Sequence, residues 1–243
     1  MERVSSEDAV FPATVLFNES WMLRLLLDEL DRLRPEHHAM TPKEGARWYS
    51  EALLPSQFLP TSQRDPLGET WTHADAAIGH FEVGTAGKTD LALRQDATQL
   101  VVVEAKIFSR LSPGVSNAKY YDQAARTVAC IAELLHKARL SPSRFESLAF
   151  FVVAPQSQIN AGVFGSIVTH ESVRSKVERR VSEYEGTKDA WFEGSFLPVL
   201  ERVHLECVSW EGLIQDIINV DERAGADLSS FYRESLRFNA AGG

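Results

Sequence analysis

The segment Gln99-Leu-Val-Val-Val-Glu-Ala-Lys-Ile107 constrains this chain more than any other. Leu100 to Val103 is an unbroken apolar run, which suits a central strand covered on both faces rather than one face of an exposed hairpin. A strand buried on both sides needs helices above and below it, so the run points to layered α/β architecture. The same strand then ends on Glu104 and Lys106. An acid and a base placed at the end of a buried strand are costly unless they are paired or solvated.

The remaining pattern supplies the layers. Residues 17–33 read as a helix, with Asn18 as N-cap and Glu19 in the first turn. Thr41-Pro42-Lys43-Glu44 resembles a capping box and predicts a second helix that stops before Pro55. The Pro- and Ser-rich stretch 55–71 reads as a loop. From His73 the period changes to that of strands. HADAAIGHFEV, TDLALRQ and TQLVVVEAKIF predict a three-strand meander, with the last two joined by a tight turn near Asp96-Ala97. A long amphipathic helix follows from about Asn117 to Ala138, then a strand at 148–154, a helical insertion at about 160–201, a strand at 203–209 and C-terminal helices over 210–238. The expected fold is α/β: a central mixed sheet of about five strands flanked by helices, in one domain spanning 1–243.

Composition narrows the classes. With 14 Gly, 10 Pro and ordinary apolar content, the chain is neither disordered nor fibrous. Cys130 and Cys207 lie in apolar surroundings without metal-ligand spacing and read as small core fillers. MERVSSEDAV lacks the basic and apolar opening of a secretory leader, and no apolar stretch is long enough to span a bilayer, so a cytoplasmic location and no membrane partner are expected. The net charge of −9 argues against a broad basic surface, yet residues 105–144 hold seven basic and two acidic side chains. That local excess is either a solvated face or a surface turned toward an anion. His73, Asp75 and His80 suit no common zinc site by their spacing. Trp48, Trp71, Trp191 and Trp210 read as packing residues rather than platforms for stacking bases.

If TDLALRQ and TQLVVVEAKIF pair about Ala97, Asp90 lies across from Glu104, and Lys106 shares the face of Glu104. Two facing carboxylates repel. Either Lys106 neutralises one of them in an internal ion pair, or a divalent cation such as Mg²⁺ offsets the repulsion.

A Gly-x-x-Asp on one strand, followed by an apolar run ending Glu-Ala-Lys, resembles the PD-(D/E)XK nuclease superfamily with its restriction-endonuclease-like fold. Asp90, Glu104 and Lys106 match the three signature positions, and Thr89 stands where a proline is common. The resemblance covers about residues 17–155 and adds 203–212 as a further strand. It implies a Mg²⁺-dependent nuclease, with Mn²⁺ as substitute, hydrolysing phosphodiester bonds in DNA, RNA being a further option. It implies metal ligation by Asp90, Glu104 and the carbonyl of Ala105, with Lys106 beside the attacking water. Gln123 matches a glutamine that such families carry on the following helix, though Thr127 replaces the usual tyrosine; the other reading is a polar boundary residue. Glu19, with Glu51 as rival, takes the acidic position of the first helix. Lys119 and Arg126 are candidate phosphate contacts or members of a solvated face. A restriction, repair or antiphage setting follows from the same resemblance, with a protein partner or homo-oligomer to deliver the enzyme. The alternative is an inactive nucleic-acid-binding or scaffolding member of the same fold.

Overall fold

A computed structural model describes residues 12–35, 38–60, 62, 65–84 and 90–240. The architecture is α/β. Five strands form the central mixed sheet: β1 (Arg47–Leu54), β2 (Thr72–Gly79), β5 (Gln99–Ala105), β6 (Ser147–Ala154) and β7 (His204–Ser209), in the order β1-β2-β5-β6-β7. The first three run antiparallel and the last three parallel. Two short strands, β3 (Phe81–Val83) and β4 (Leu91–Leu93), pair only with each other.

One face of the sheet is covered by α1 (Glu19–Leu33), α7 (Trp210–Val220) and α8 (Glu222–Asn239), the other by α2 (Gln123–Ala138), α4 (His170–Ser182) and α6 (Leu197–Arg202). A short helix α3 (Gln156–Asn160) follows β6. Another, α5 (Asp189–Trp191), leads through a π-helical turn at Phe192–Phe196 into α6. All seven residues of β5 are buried, as the apolar run requires. Side-chain caps start the long helices. Asn18 accepts from the Trp21 N–H at 3.0 Å, Asp122 from Ala125 at 3.1 Å, and Ser209 and Asp221 do the same for α7 and α8.

Three expectations are corrected. The stretch expected to form a helix after Thr41 forms β1 instead. Its residues Arg47–Leu54 pair with β2, burying Ala52 and Leu54 against the sheet core, and this packing overrides the local capping signal. The expected pairing about Ala97 is also absent. The residue pairs of β5 are Ala76 with Val103 and Gly79 with Leu100, both on β2, because the β3–β4 hairpin is an excursion between them. The long helix begins at Gln123 rather than Asn117.

The β2–β5 register is pinned at its far end. Gly79 has φ 154°, and a Cβ there would meet the Gln99 carbonyl oxygen at 2.2 Å. The next residue, His80, donates its N–H to that oxygen at 3.1 Å, and its Nδ1 accepts from the N–H groups of Thr98 and Gln99 at 3.3 Å. A bulkier residue at 79 would push the strands apart and release the alignment.

Candidate active site

From that register, one step beyond the Ala76–Val103 pair places Asp75 across from Glu104. Asp75 holds the end of the ladder with its side chain, Oδ2 accepting the Ala105 N–H at 2.7 Å. Strand regularity breaks here. In β1, Trp48 packs with the α1 side while Ala52 and Leu54 pack with the α2 side, so alternation slips by one between them. The slip falls at Glu51, whose φ of 55° is left-handed. In β2 the slip falls at Asp75, since Ala74 and Ala77 lie on one face and Ala76 on the other. The left-handed backbone of a non-glycine residue such as Glu51 costs about 1 kcal/mol or more and persists only where its surroundings impose it. Arg24 of α1 supplies part of that hold, donating from Nε to Ser50 Oγ at 3.0 Å and pairing with Glu51 Oε1 at 3.3 Å.

Three ionisable side chains converge at this end of the sheet. Lys106 Nζ lies 3.4 Å from Glu104 Oε2 and 3.8 Å from Asp75 Oδ2. Glu104 is 0% exposed, and its Oε1 is buried without a hydrogen-bond partner. Burial first, and then the like charge of Asp75 and a side-chain hydrogen bond with it, raise the Glu104 carboxyl to about 8, although the Lys106 ammonium pulls the other way. The lysine is itself held by its backbone. Its N–H donates to the Val153 carbonyl at 2.8 Å, and its carbonyl accepts from Trp210 Nε1 at 2.9 Å. A buried carboxyl facing a second carboxylate and one lysine is destabilised when it ionises, because burial and the like charge both oppose its charged form.

The expected residues divide. Glu104, Ala105 and Lys106 are together at the strand end. Asp90 is elsewhere: it forms an isolated bridge with Leu53 and lines a cleft of about 290 Å³ with Trp71, Leu134 and Lys137. Gly87 and Thr89 of the expected motif lie outside the described residues. Gln123 sits at the start of α2 and accepts the Ser112 N–H at 3.0 Å through Oε1, so it closes the loop after β5. Glu19 occupies the first turn of α1, where a negative charge suits the helix dipole. Glu51, weighed as a helical acid, is on the strand β1 and exposed. Lys119 is exposed in the loop before α2. Arg126 turns inward toward Glu69 and Tyr121, with its Nε buried.

Asp75 is the site residue that sequence reasoning set aside. Its signal was present: it stands on the strand preceding the β3–β4 excursion, and aligning that strand with β5 would have faced it to Glu104. Trp210 carried no comparable signal. Among the described residues no group of three or more His, Cys, Asp and Glu side chains gathers as a ready metal cage, and no helix is long and apolar enough to cross a membrane. The donor set therefore fits a hard cation only in one form, with two carboxylates, backbone oxygen and several waters completing the shell. The orphaned Oε1 of Glu104 supports that fit. No family model, curated protein or solved structure matches this chain.

Proposed function

We propose that this protein is a Mg²⁺-dependent phosphodiester hydrolase acting on DNA, similar to PD-(D/E)XK nucleases, with Asp75 rather than Asp90 as the first acidic residue. The observation that carries the reading is the convergence of the buried Glu104 carboxyl with Asp75 and Lys106 at the end of β5. Asp75, Glu104 and the Ala105 carbonyl would hold the cation. When bound, a divalent ion lowers the pKa of water and offsets charge developing on phosphate. Asp75 is anchored by the Ala105 N–H, which fixes its carboxylate relative to Glu104. Glu104 must shed its proton to act as a ligand, so affinity for metal rises as pH climbs toward about 8. Lys106, oriented through Trp210, brings a positive charge to the scissile phosphate and replaces lost contact with Glu104 by contact with the substrate. Of the two candidate phosphate contacts, Lys119 is exposed, whereas Arg126 has its Nε buried.

A second reading has its own observation. Lys106 lies within ion-pair distance of both carboxylates, so the three form a neutralising cluster without any cation, as an inactive nucleic-acid-binding or scaffolding protein would need. Incubation with supercoiled plasmid, single-stranded DNA and RNA, in Mg²⁺, Mn²⁺ or EDTA, separates the two. Metal-dependent cleavage lost in Glu104→Gln and Lys106→Met supports the hydrolase. Absence of cleavage together with absence of metal binding supports the scaffold.

A further inference from the structure

A groove of about 800 Å³ runs between α1 and α8, on the sheet face opposite α2. Its floor is apolar, built from Phe17, Leu25, Leu228 and Phe231. Its rim is acidic: Asp28 and Glu29 stand on α1, Asp227 and Glu234 on α8, and no Lys, Arg or His is among the lining residues. Glu29 and Glu234 have ion-pair partners on their own helices in Arg32 and Arg237. Asp28 and Asp227 are exposed. Along α8 the groove extends from Ala224 to Glu234, about 15 Å at the rise of an α-helix, or three turns.

We propose that this groove docks a basic amphipathic helix of a partner protein. An apolar row at i, i+3, i+4 and i+7 spans about the length of the floor, and Lys or Arg flanking that row would meet the carboxylates on both walls. Charge complementarity decides the occupant. A second copy of this chain would bring the same acidic walls against themselves, and like charges facing one another across an interface are unfavourable. The occupant lies on the far side of the sheet from Glu104, which shares the α2 side with Val102, so docking leaves the acid cluster open. The groove thus acts in recruitment, and it does so whether or not the cluster is catalytic.

The test uses the intact protein and two fluorescent synthetic peptides of about twelve residues, both with the same Leu row, one flanked by Lys and one by Glu. Anisotropy should report micromolar binding of the Lys peptide and at least tenfold weaker binding of the Glu peptide. The affinity should fall with added salt. Asp227→Lys/Glu234→Lys should weaken the Lys peptide at least tenfold. Ser230→Arg, which places bulk and positive charge on the groove wall, should do the same while thermal unfolding stays unchanged. Failure of the Lys peptide to bind would overturn the proposal, as would equal binding of both peptides or binding that survives the charge reversal. Sedimentation showing a dimer that Ser230→Arg dissolves would assign the groove to a second copy and overturn it as well.

Discussion

Three glutamates are buried among the described residues, and two of them, Glu69 and Glu104, have surroundings that differ in kind. Glu69, in the loop between β1 and β2, accepts from Ser56 and lies near the guanidinium groups of Arg180 and Arg126. Arg180 is itself 0% exposed, held among the rings of Tyr184, Phe58 and Tyr121 at 5.3, 5.4 and 6.0 Å, bonded to the Leu67 carbonyl and paired with Glu183 at 2.5 Å. Burial raises Glu69, but the hydroxyl and two cations oppose the rise. Glu104 has one lysine, and the nearest other charge is a carboxylate. One cluster compensates its charge and fastens the β1–β2 loop to α4. The other sets one lysine between a carboxylate and a carboxyl that burial holds up to about 8, at the end of the most buried strand.

Breaking the compensated cluster gives the largest effect. Arg180→Leu removes the buried guanidinium that bonds the Leu67 carbonyl, pairs with Glu183 and lies near Glu69, and losing such a buried charged network costs about 3–5 kcal/mol, read as a lower urea midpoint. Glu104→Gln acts in the opposite direction. With its carboxyl raised to about 8, Glu104 favours the folded state below its unfolded value near 4.5, and that contribution is lost as pH rises through about 8. Wild-type stability in EDTA should therefore decline between these limits by up to a few kcal/mol on this account, and Glu104→Gln should flatten the decline and be the more stable protein at pH 8. Melting against pH for both proteins checks it, and an unchanged slope contradicts it.

Metal addition gives an intermediate effect. Mn²⁺ or Mg²⁺ at about a hundred times its dissociation constant stabilises the folded state by about 2.7 kcal/mol, or several degrees in Tm. The gain should vanish in Asp75→Asn and Glu104→Gln and persist in Asp90→Asn. The smallest effects separate the two basic residues. Arg126→Ala should destabilise by about 1–2 kcal/mol through the partner groups it leaves buried. Lys119→Ala should stay within about 0.5 kcal/mol, yet lower the salt slope of DNA binding by about one.

The contrast also explains what could be read from the residues. Strand β5 and its Glu104-Ala105-Lys106 end were legible because a continuous apolar run has few other destinations. Helix α1 was legible from Asn18 and the periodic leucines, and the Asn18 cap forms as expected. Strand β1 was not, since Thr41-Pro42-Lys43-Glu44 satisfies a local cap rule while the pairing of Arg47–Leu54 with β2 is a long-range event. Asp90 was misplaced for the same reason. A turn at Ala97 is a local inference, whereas the true partner of β5 is fixed by Gly79, His80 and Gln99 across an intervening hairpin. Arg126 looked like a surface residue by helical spacing, and only the β1–β2 loop, packed over α2 with Glu69, draws it inward.

Calorimetric titration of Mn²⁺ at pH 8 into the wild type, Asp75→Asn and Asp90→Asn tests the central claim most directly. Saturable binding in the wild type and Asp90→Asn, lost in a folded Asp75→Asn, is the predicted result. Binding that survives in Asp75→Asn but disappears in Asp90→Asn would contradict the assignment of the site to the Asp75–Glu104–Lys106 cluster.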